Sequence, residues 1–516
     1  MALFRSVATV GGYTLVSRLF GFARDILIAA MLGAGPVSDA FFVAFQLPNL
    51  FRRLFAEGAF SAAFVPLFTG TLTAEGREAA IRFAEQSLSV MLVVLFLFVL
   101  AAQTFMPAVI HVLAPGFAGY PTKFHLAVVF TRLTFPYLLF ISLVALLGGA
   151  LNAVGRFAAP AAAPIILNIC LIAALLIATP YLPTAGHALA WGVAAAGILQ
   201  FLWLTGACAR AGLRFRLPRP RLTPGVRRLL KLMLPAALGA GASQVNQMVN
   251  LILASLLPAG SISYLFYADR LEQLPLGVVG VALGTALLPL LSRQLAAGDA
   301  KSAGQSQNRA LELALLLALP AAAGLSVLAF PLISVLFQRG AFDQAASVAT
   351  SQVLIAYAAG LPAFIMIKVF TPGFYARRDT RTPLIIAVVA VATNITLNLI
   401  LMRPLLYVGL AISLSTASWL QTAILATVLY RRGHWRPDRR LLERGARILA
   451  ATLGMALGLA ALARFLSPWL LRDELWRVAA LGLLVGFGLV VYAVFAEISG
   501  AARLAELKRE LRPRAG

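Results

Sequence analysis

The sequence predicts an all-α polytopic membrane protein with fourteen transmembrane helices, arranged as two parallel six-helix repeats followed by two more helices. Three observations lead there. Hydrophobic residues make up 61% of the 516 positions and charged residues only 12%, about half the charged share of a soluble domain. The apolar excess runs in blocks of roughly 20 residues, the length needed to cross about 30 Å of hydrocarbon. A sequence pattern also recurs at a fixed shift, which is the mark of an internal duplication.

Taken in order, the hydrophobic blocks between turn signals place six spans at 7–32, 39–68, 86–109, 126–153, 160–180 and 187–209. A second series follows at 228–257, 262–290, 309–333, 348–375, 383–402 and 406–430, with two further spans at 443–466 and 475–498. The first span carries Arg18, Arg24 and Asp25. It is too long and too polar for a cleaved signal peptide and is expected to stay in the mature chain.

The loops orient these spans. Formal net charge is +24, and 30 of the 43 basic residues fall in segments that share one side if the N-terminus is cytoplasmic. Among them are Arg77 and Arg82, Arg156, the runs Arg210 to Lys231 and Arg431 to Arg447, and the tail Arg503 to Arg514. The opposite loops and adjoining helix ends hold only Lys123, Arg132, Arg339, Arg403, Arg464, Arg472 and Arg477. By the positive-inside rule both termini are expected in the cytoplasm. The basic loops read as topogenic charge and contact with membrane lipids rather than nucleic-acid binding, since no such motif accompanies them. Cys170 and Cys208 lack Cys-x-x-Cys spacing and the four histidines are scattered, so neither a disulfide framework nor a clustered metal motif is expected.

The duplication rests on three separated matches. Pro66 falls on Pro289 at a shift of 223 residues, within Ala-Phe-Val-Pro-Leu-Phe and Ala-Leu-Leu-Pro-Leu-Leu. The same shift places Ile110, Val112 and Leu113 on Ile333, Val335 and Leu336, and Leu151-Asn152-Ala153 on Phe374-Tyr375-Ala376. Six spans per repeat is an even number, so both copies start on the same side, with a pseudo-two-fold axis along the membrane normal and a crevice between the halves. The division expected is an N-lobe at 1–222, a C-lobe at 223–440, and a last pair of helices with a basic tail at 441–516.

Six cations remain inside the spans: Arg18, Arg24, Arg52, Arg53, Arg270 and Lys368. Asp25, Asp39, Glu57, Asp269 and Glu272 oppose them, leaving an excess of one charge. Such residues are costly in hydrocarbon unless paired or wet, and they concentrate in the early helices of both halves. Near seven-residue spacing sets Ser17 with Arg24 and Arg18 with Asp25 on one helical sector, with Gly21 between. Asp39, Gln46, Asn49, Arg52, Arg53 and Glu57 form a polar strip on the second span. Planar, permanently charged guanidinium suits phosphoryl oxygens, so the pattern points to a phosphate-bearing cargo and weighs against a cationic drug. No nucleophile, base and metal constellation is visible, so a transporter is expected rather than an enzyme.

The segments Ser-Arg-Leu-Phe-Gly-Phe-Ala-Arg-Asp at 17–25 and Asp-Ala-Phe-Phe-Val-Ala-Phe-Gln-Leu-Pro-Asn-Leu-Phe-Arg-Arg-Leu-Phe-Ala-Glu-Gly-Ala-Phe at 39–60 strongly resemble the MurJ (MviN) family of lipid II flippases. The likeness continues through Tyr267-Ala268-Asp269-Arg270, Gly280 to Thr285 and Pro372 to Arg377. It implies a MATE-like fold of the multidrug, oligosaccharidyl-lipid and polysaccharide exporter superfamily, with the last two helices forming a groove for a lipid tail. It also implies Arg18, Arg24, Arg52 and Arg270 as cavity residues. Ser17, Asp25, Asp39, Asn49, Arg53, Glu57, Asp269, Glu272 and Lys368 would support or gate them. The family pattern often has an acid at the position of Gln273, whereas this chain has Glu272 immediately before it, which turns the side chain by about 100° around the helix. Asn394 and Asn398 do not by themselves define a sodium shell.

The resemblance implies alternating-access movement of lipid II, undecaprenyl-diphosphate-linked disaccharide-pentapeptide, from the cytoplasmic to the outer leaflet of the bacterial inner membrane. The alternative substrate is another polyprenyl-diphosphate glycan or anionic amphiphile. A monomer is expected, with functional contact to the cell-wall synthesis machinery. No cofactor is firmly implied. A membrane potential or ion gradient could drive the reset, since one charge crossing 100 mV is worth about 2.3 kcal/mol.

Overall fold

The computed structural model describes residues 2–52, 60–470 and 473–501. Arg53 and Glu57, two of the expected polar-strip residues, lie outside the described residues, as do Arg472 and the basic tail from Arg503. All regular structure among the described residues is helical. The helices run α1 (Ala2–Leu32), α2 (Pro36–Phe51), α3 (Phe60–Ala74), α4 (Arg77–Thr104), α5 (Met106–Leu113), α6 (Pro121–Thr134), α7 (Tyr137–Ala153), α8 (Ala158–Ala173) and α9 (Ala185–Arg210). They continue as α10 (Pro224–Ser255), α11 (Ser261–Pro275), α12 (Val281–Ala296), α13 (Ala300–Val327), α14 (Ala329–Phe337), α15 (Gln344–Tyr375), α16 (Arg381–Arg431), α17 (Arg439–Phe465), α18 (Ser467–Leu470) and α19 (Glu474–Ile498). Two five-residue π-helical turns, Ala174–Ala178 and Leu276–Gly280, extend α8 and join α11 to α12.

Ten helical stretches among the described residues are long and apolar enough to span a bilayer. They take in the expected spans from 86–109 to 187–209 and from 262–290 onward, with 383–402 and 406–430 merged into the single element α16. The expected spans that are not among the ten are 7–32, 39–68 and 228–257. The first is polar at Arg18, Arg24 and Asp25, the second is described as two pieces, α2 and α3, and the third is polar at Gln244, Asn246, Gln247 and Asn250.

At 51 residues α16 would be a rod of about 76 Å, more than twice the hydrocarbon thickness. Its backbone leaves the helical region at Leu406, with φ 48° and ψ −129°, two residues after Pro404. A Cβ on Gly409 would lie 2.4 Å from the Leu401 carbonyl oxygen, so the chain turns back tightly here and only glycine fits. Each arm is then about 25 residues, a bilayer's length.

The chain divides into two compact units, Met1–Ser263 with Arg339–Phe342, and Tyr264–Gln338 with Asp343–Gly516. The helix expected to open the C-lobe, α10, therefore packs in the first unit, against α3, α4 and α5. In the first unit α1 lies along α8, and α2 packs on α6 and α9. Its core is aromatic: Phe41 stacks on Phe45 at 5.7 Å and Phe64 on Phe83 at 5.7 Å. The four residues Arg339–Phe342 join this unit through a backbone bond from Ala341 N–H to the Ala30 carbonyl at 2.7 Å. A Cβ on Gly33 would meet the Ala341 oxygen at 2.3 Å, and one on Gly340 would meet the Ala30 oxygen at 2.2 Å. Both glycines also have positive φ, 64° and 56°, so the contact is closed to any other residue at either position.

In the second unit α13 is flanked by α15 and α17. Leu361, Ile365, Val369 and Phe374 of α15 and Leu311 and Ala314 of α13 belong to one buried apolar cluster. Near the middle of α13, Glu312 receives Arg309 and Arg444 and lies 3.4 Å from Arg440, while Asp438 caps α17 through Leu441 N–H at 2.8 Å and takes a second arm of Arg309. That network ties the start of α17 to α13.

Candidate functional site

The polar residues of α1 separate into an exposed and a buried group. Arg18 is exposed and Ser17 half-buried, whereas Arg24 and Asp25, two turns further on, are 8% and 3% exposed. The seven-residue spacing that sets Arg18 and Asp25 on one sector therefore leaves them in different environments. Arg24 donates Nε and Nη2 to Asp25 Oδ1 at 2.9 and 2.6 Å, and Nη1 to Asn168 Oδ1 at 2.8 Å. Asn168, on α8, donates in turn to the Ser17 carbonyl at 2.9 Å. Gly21 lies directly against the Asn168 amide, 3.5 Å from an ideal Cβ, so the glycine between the two polar levels of α1 faces this side chain. Asn168 is the residue that the sequence reading missed. Its signal was a lone amide in the otherwise apolar 160–180 block.

On α2, Asp39 is fully buried and accepts four hydrogen bonds. Lys123 Nζ of α6 and the Gly260 amide reach Oδ2, each at 2.8 Å. The Ser263 amide and hydroxyl reach Oδ1 at 3.0 and 2.7 Å. The amides belong to the start of α11, where unsatisfied N–H groups and the positive end of the helix dipole favour an anion. Lys123 also sits 4.1 Å from the centre of the Phe117 ring, and its side chain is only 6% exposed. The sequence reading counted it as a loop cation; it is instead the buried counter-ion of Asp39. Further along α2, Asn49 bonds back to the Phe45 carbonyl at 2.9 Å and accepts from Arg52 Nε at 3.3 Å.

The second unit holds the remaining candidates. Arg270 lies over the Phe266 ring at 4.4 Å, one turn back along α11. Asp269 accepts from Gln273, one turn on, so this amide serves as a donor to its own helix. Glu272, one position before Gln273, is 4% exposed, and its Oε1 has no hydrogen-bond partner among the described residues. The one-position offset noted in the sequence thus separates a half-buried amide from a buried acid. Lys368 of α15 is exposed, and its Cγ and Cβ lie 3.7 and 3.8 Å from the ideal Cβ positions of Gly280 and Gly284. Asn394 and Asn398 are buried and bond to each other at 3.3 Å. No group of three or more His, Cys, Asp or Glu is placed to hold a metal among the described residues.

An exposed guanidinium about two turns along the same helix from a buried, hydrogen-bonded one suits binding a multiply charged phosphoryl group at the first while the second holds the helix pair in register. The family model described as "Lipid II flippase MurJ" matches residues 28–480. A probable lipid II flippase MurJ of Rhizobium meliloti (strain 1021) is 45% identical over 518 residues, covering 99% of this chain and 97% of that protein. This chain belongs to the MurJ family. A MurJ protein of Burkholderia cenocepacia is 37% identical over 464 residues, 88% of this chain and 89% of its own length. The solved structure of a lipid II flippase MurJ in an inward closed conformation superposes with a TM-score of 0.80 at 26% identity, covering 98% of this chain and 99% of that one. An inward-facing MATE family transporter of the MOP superfamily gives 0.67 at 15% identity over 81% of this chain, a likeness of fold. MurJ membership identifies a multi-pass inner-membrane transporter that makes and breaks no covalent bond.

Proposed function

We propose that this chain translocates lipid II across the inner membrane for peptidoglycan synthesis by alternating access. The observation that carries it is the exposed Arg18, about two turns along α1 from the buried Arg24, Asp25 and Asn168 cluster, in a chain of the MurJ family. In this reading Arg18, Arg52 and Arg270 hold the diphosphate, Arg24, expected as a cavity residue, keeps α1 and α8 in register, and Lys368 adds a further cation. Sugars and peptide occupy a wet cavity, which spares the polar headgroup the cost of entering hydrocarbon. Asp25, Asp39, Asn49, Asp269 and Glu272 hold the geometry, and the polyprenyl tail follows the last two long helices, α17 and α19.

The finer architecture belongs to the same proposal: fourteen spans, both termini cytoplasmic, and an N-lobe, C-lobe and terminal pair divided near 222 and 440. Its support is the helix register. Shifting α4, Arg77–Thr104, by 223 residues gives the bounds of α13, Ala300–Val327. Residues 121–153, covered by α6 and α7, move onto 344–376 against α15 at Gln344–Tyr375, and the first residue of α8, Ala158, moves onto Arg381, the first of α16.

The test is leaflet transfer by purified protein in vesicles, comparing fluorescent lipid II with an O-antigen-type polyprenyl-diphosphate carrier. Lipid II should move and the other carrier should not; the reverse preference would assign the alternative cargo, and a product of altered mass would overturn the transport reading. Imposing a membrane potential on the same vesicles tests the reset, which should change rate with voltage.

A further inference from the structure

The first unit carries a concavity that the transport reading leaves unused. A cavity of about 390 Å³ opens where the end of α7, the start of α8, the end of α9 and the first half of α1 meet. Arg156 and Arg210 are its charged walls, and Tyr13, Phe157 and Trp203 its aromatic ones. Backbone turns set the two guanidinium stems. After α7 the chain turns at Gly155, φ 75°, and Arg156 N–H returns to the Leu151 carbonyl at 2.9 Å; α9 ends in the same way at Gly212, φ 75°, with Leu213 N–H on the Cys208 carbonyl at 2.8 Å. Trp203 Nε1 donates to the Ala159 carbonyl at 3.1 Å, which pins the indole of α9 to the start of α8. Both arginines are exposed, and neither meets a carboxylate among the described residues.

Beyond the cavity α9 presents an apolar stripe outward, with Leu202, Leu199 and Ile198 exposed by 58%, 48% and 45%. From Arg210 to Leu199 the helix rises about 16 Å, close to the hydrocarbon depth of one leaflet. A guanidinium pair at the headgroup level, an indole and a phenol below it, and an apolar track one leaflet long together match a lipid end to end.

We propose that this cavity binds the phosphodiester headgroup of one anionic phospholipid of the surrounding bilayer. Arg156 and Arg210 take the phosphate, Tyr13, Phe157 and Trp203 border the glycerol region, and the acyl chains follow the α9 stripe. Its size, at the small end of ligand pockets, suits a phosphodiester with its glycerol and excludes the disaccharide-pentapeptide of the transported cargo.

Native mass spectrometry of the full chain, delipidated and then titrated with phosphatidylglycerol, reads this directly. The wild type should hold one phosphatidylglycerol in preference to phosphatidylcholine. The Arg156→Gln/Arg210→Gln double variant should hold it about thirtyfold more weakly. Ala207→Trp, which fills the cavity and keeps both arginines, should lose the same adduct. Arg214→Gln, on the neighbouring basic surface, should retain it. Equal binding of phosphatidylcholine, an unchanged adduct in the double variant, or displacement by equimolar undecaprenyl diphosphate or by inorganic phosphate would each overturn the assignment. Lipid II transfer is read separately, so failure of that activity leaves this outcome interpretable.

Discussion

Asn168 and Arg24 stand 144 residues apart in sequence, yet the amide oxygen of one receives the guanidinium of the other at 2.8 Å. Because Asn168 also donates to the Ser17 carbonyl, one side chain joins the two polar levels of α1. Asn168→Ala should remove the partner of Arg24 Nη1 and the side-chain donor to the Ser17 carbonyl while the Arg24–Asp25 pair remains, lowering stability by about 1–3 kcal/mol. Thermal unfolding in detergent measures this, and lipid II transfer should fall with it.

The contrast between exposed Arg18 and buried Arg24 predicts two different phenotypes. Arg18→Ala should change stability by no more than about 0.5 kcal/mol while weakening diphosphate binding roughly tenfold to a hundredfold. Arg24→Ala should lower both. Binding of undecaprenyl diphosphate, measured beside the melting temperature, separates the cases.

Removing Asp39 strands the Lys123 ammonium, whose side chain is 6% exposed. Asp39→Ala should therefore cost about 3–5 kcal/mol. The double change Asp39→Asn/Lys123→Met removes both charges and should recover part of that loss, which denaturation of the two variants side by side would reveal.

The mutual approach of Gly33 and Gly340 leaves no room for a methyl group. Gly340→Ala should cost at least about 2 kcal/mol through backbone strain and overpacking. Gly304→Ala, at a helical position of α13 with open space around it, should instead be neutral or stabilising by up to about 1 kcal/mol. The melting temperatures of the two variants should move in opposite directions or differ sharply in size.

Outside the membrane spans, Asp379 holds the turn between α15 and α16. Hydrogen bonds from Thr382, with Arg432 at 2.6 Å, pull its carboxyl down to about 2. A depressed folded value means that its contribution is complete above the unfolded pKa, about 3.9, and disappears as pH falls through about 2. The protection factor of the Thr382 amide, its exchange rate corrected for the intrinsic pH dependence, should fall across that acid window in the wild type. Asp379→Asn should exchange faster already at neutral pH and show less acid dependence.

Most long helices were legible because membrane spans announce themselves by length and hydropathy, and basic loops mark their ends. The start of α8 after Arg156 and the end of α9 at Arg210 follow from turn signals alone. What spacing could not supply was partner choice. Lys123 looked like loop charge because its carboxylate lies 84 residues upstream, and Asn168 looked incidental because Arg24 lies on another helix. The reading of Gln273 and Glu272 as different faces of α11 was available from the helical period, but only packing decided that Glu272 is the buried one. The tight turn at Leu406 and Gly409 was expected only as a gap between two spans.

The four donors that surround Asp39 also impose a timetable. Lys123 is 84 residues behind it on the ribosome, and the amides of Gly260 and Ser263 are 221 and 224 behind. At about 5–20 residues per second, the last donor is made roughly 10–45 seconds after the carboxylate. A nascent chain arrested between those points can pair Asp39 with Lys123 alone, so α2 must enter the membrane with its charge only partly satisfied and await the start of α11 to be fully coordinated.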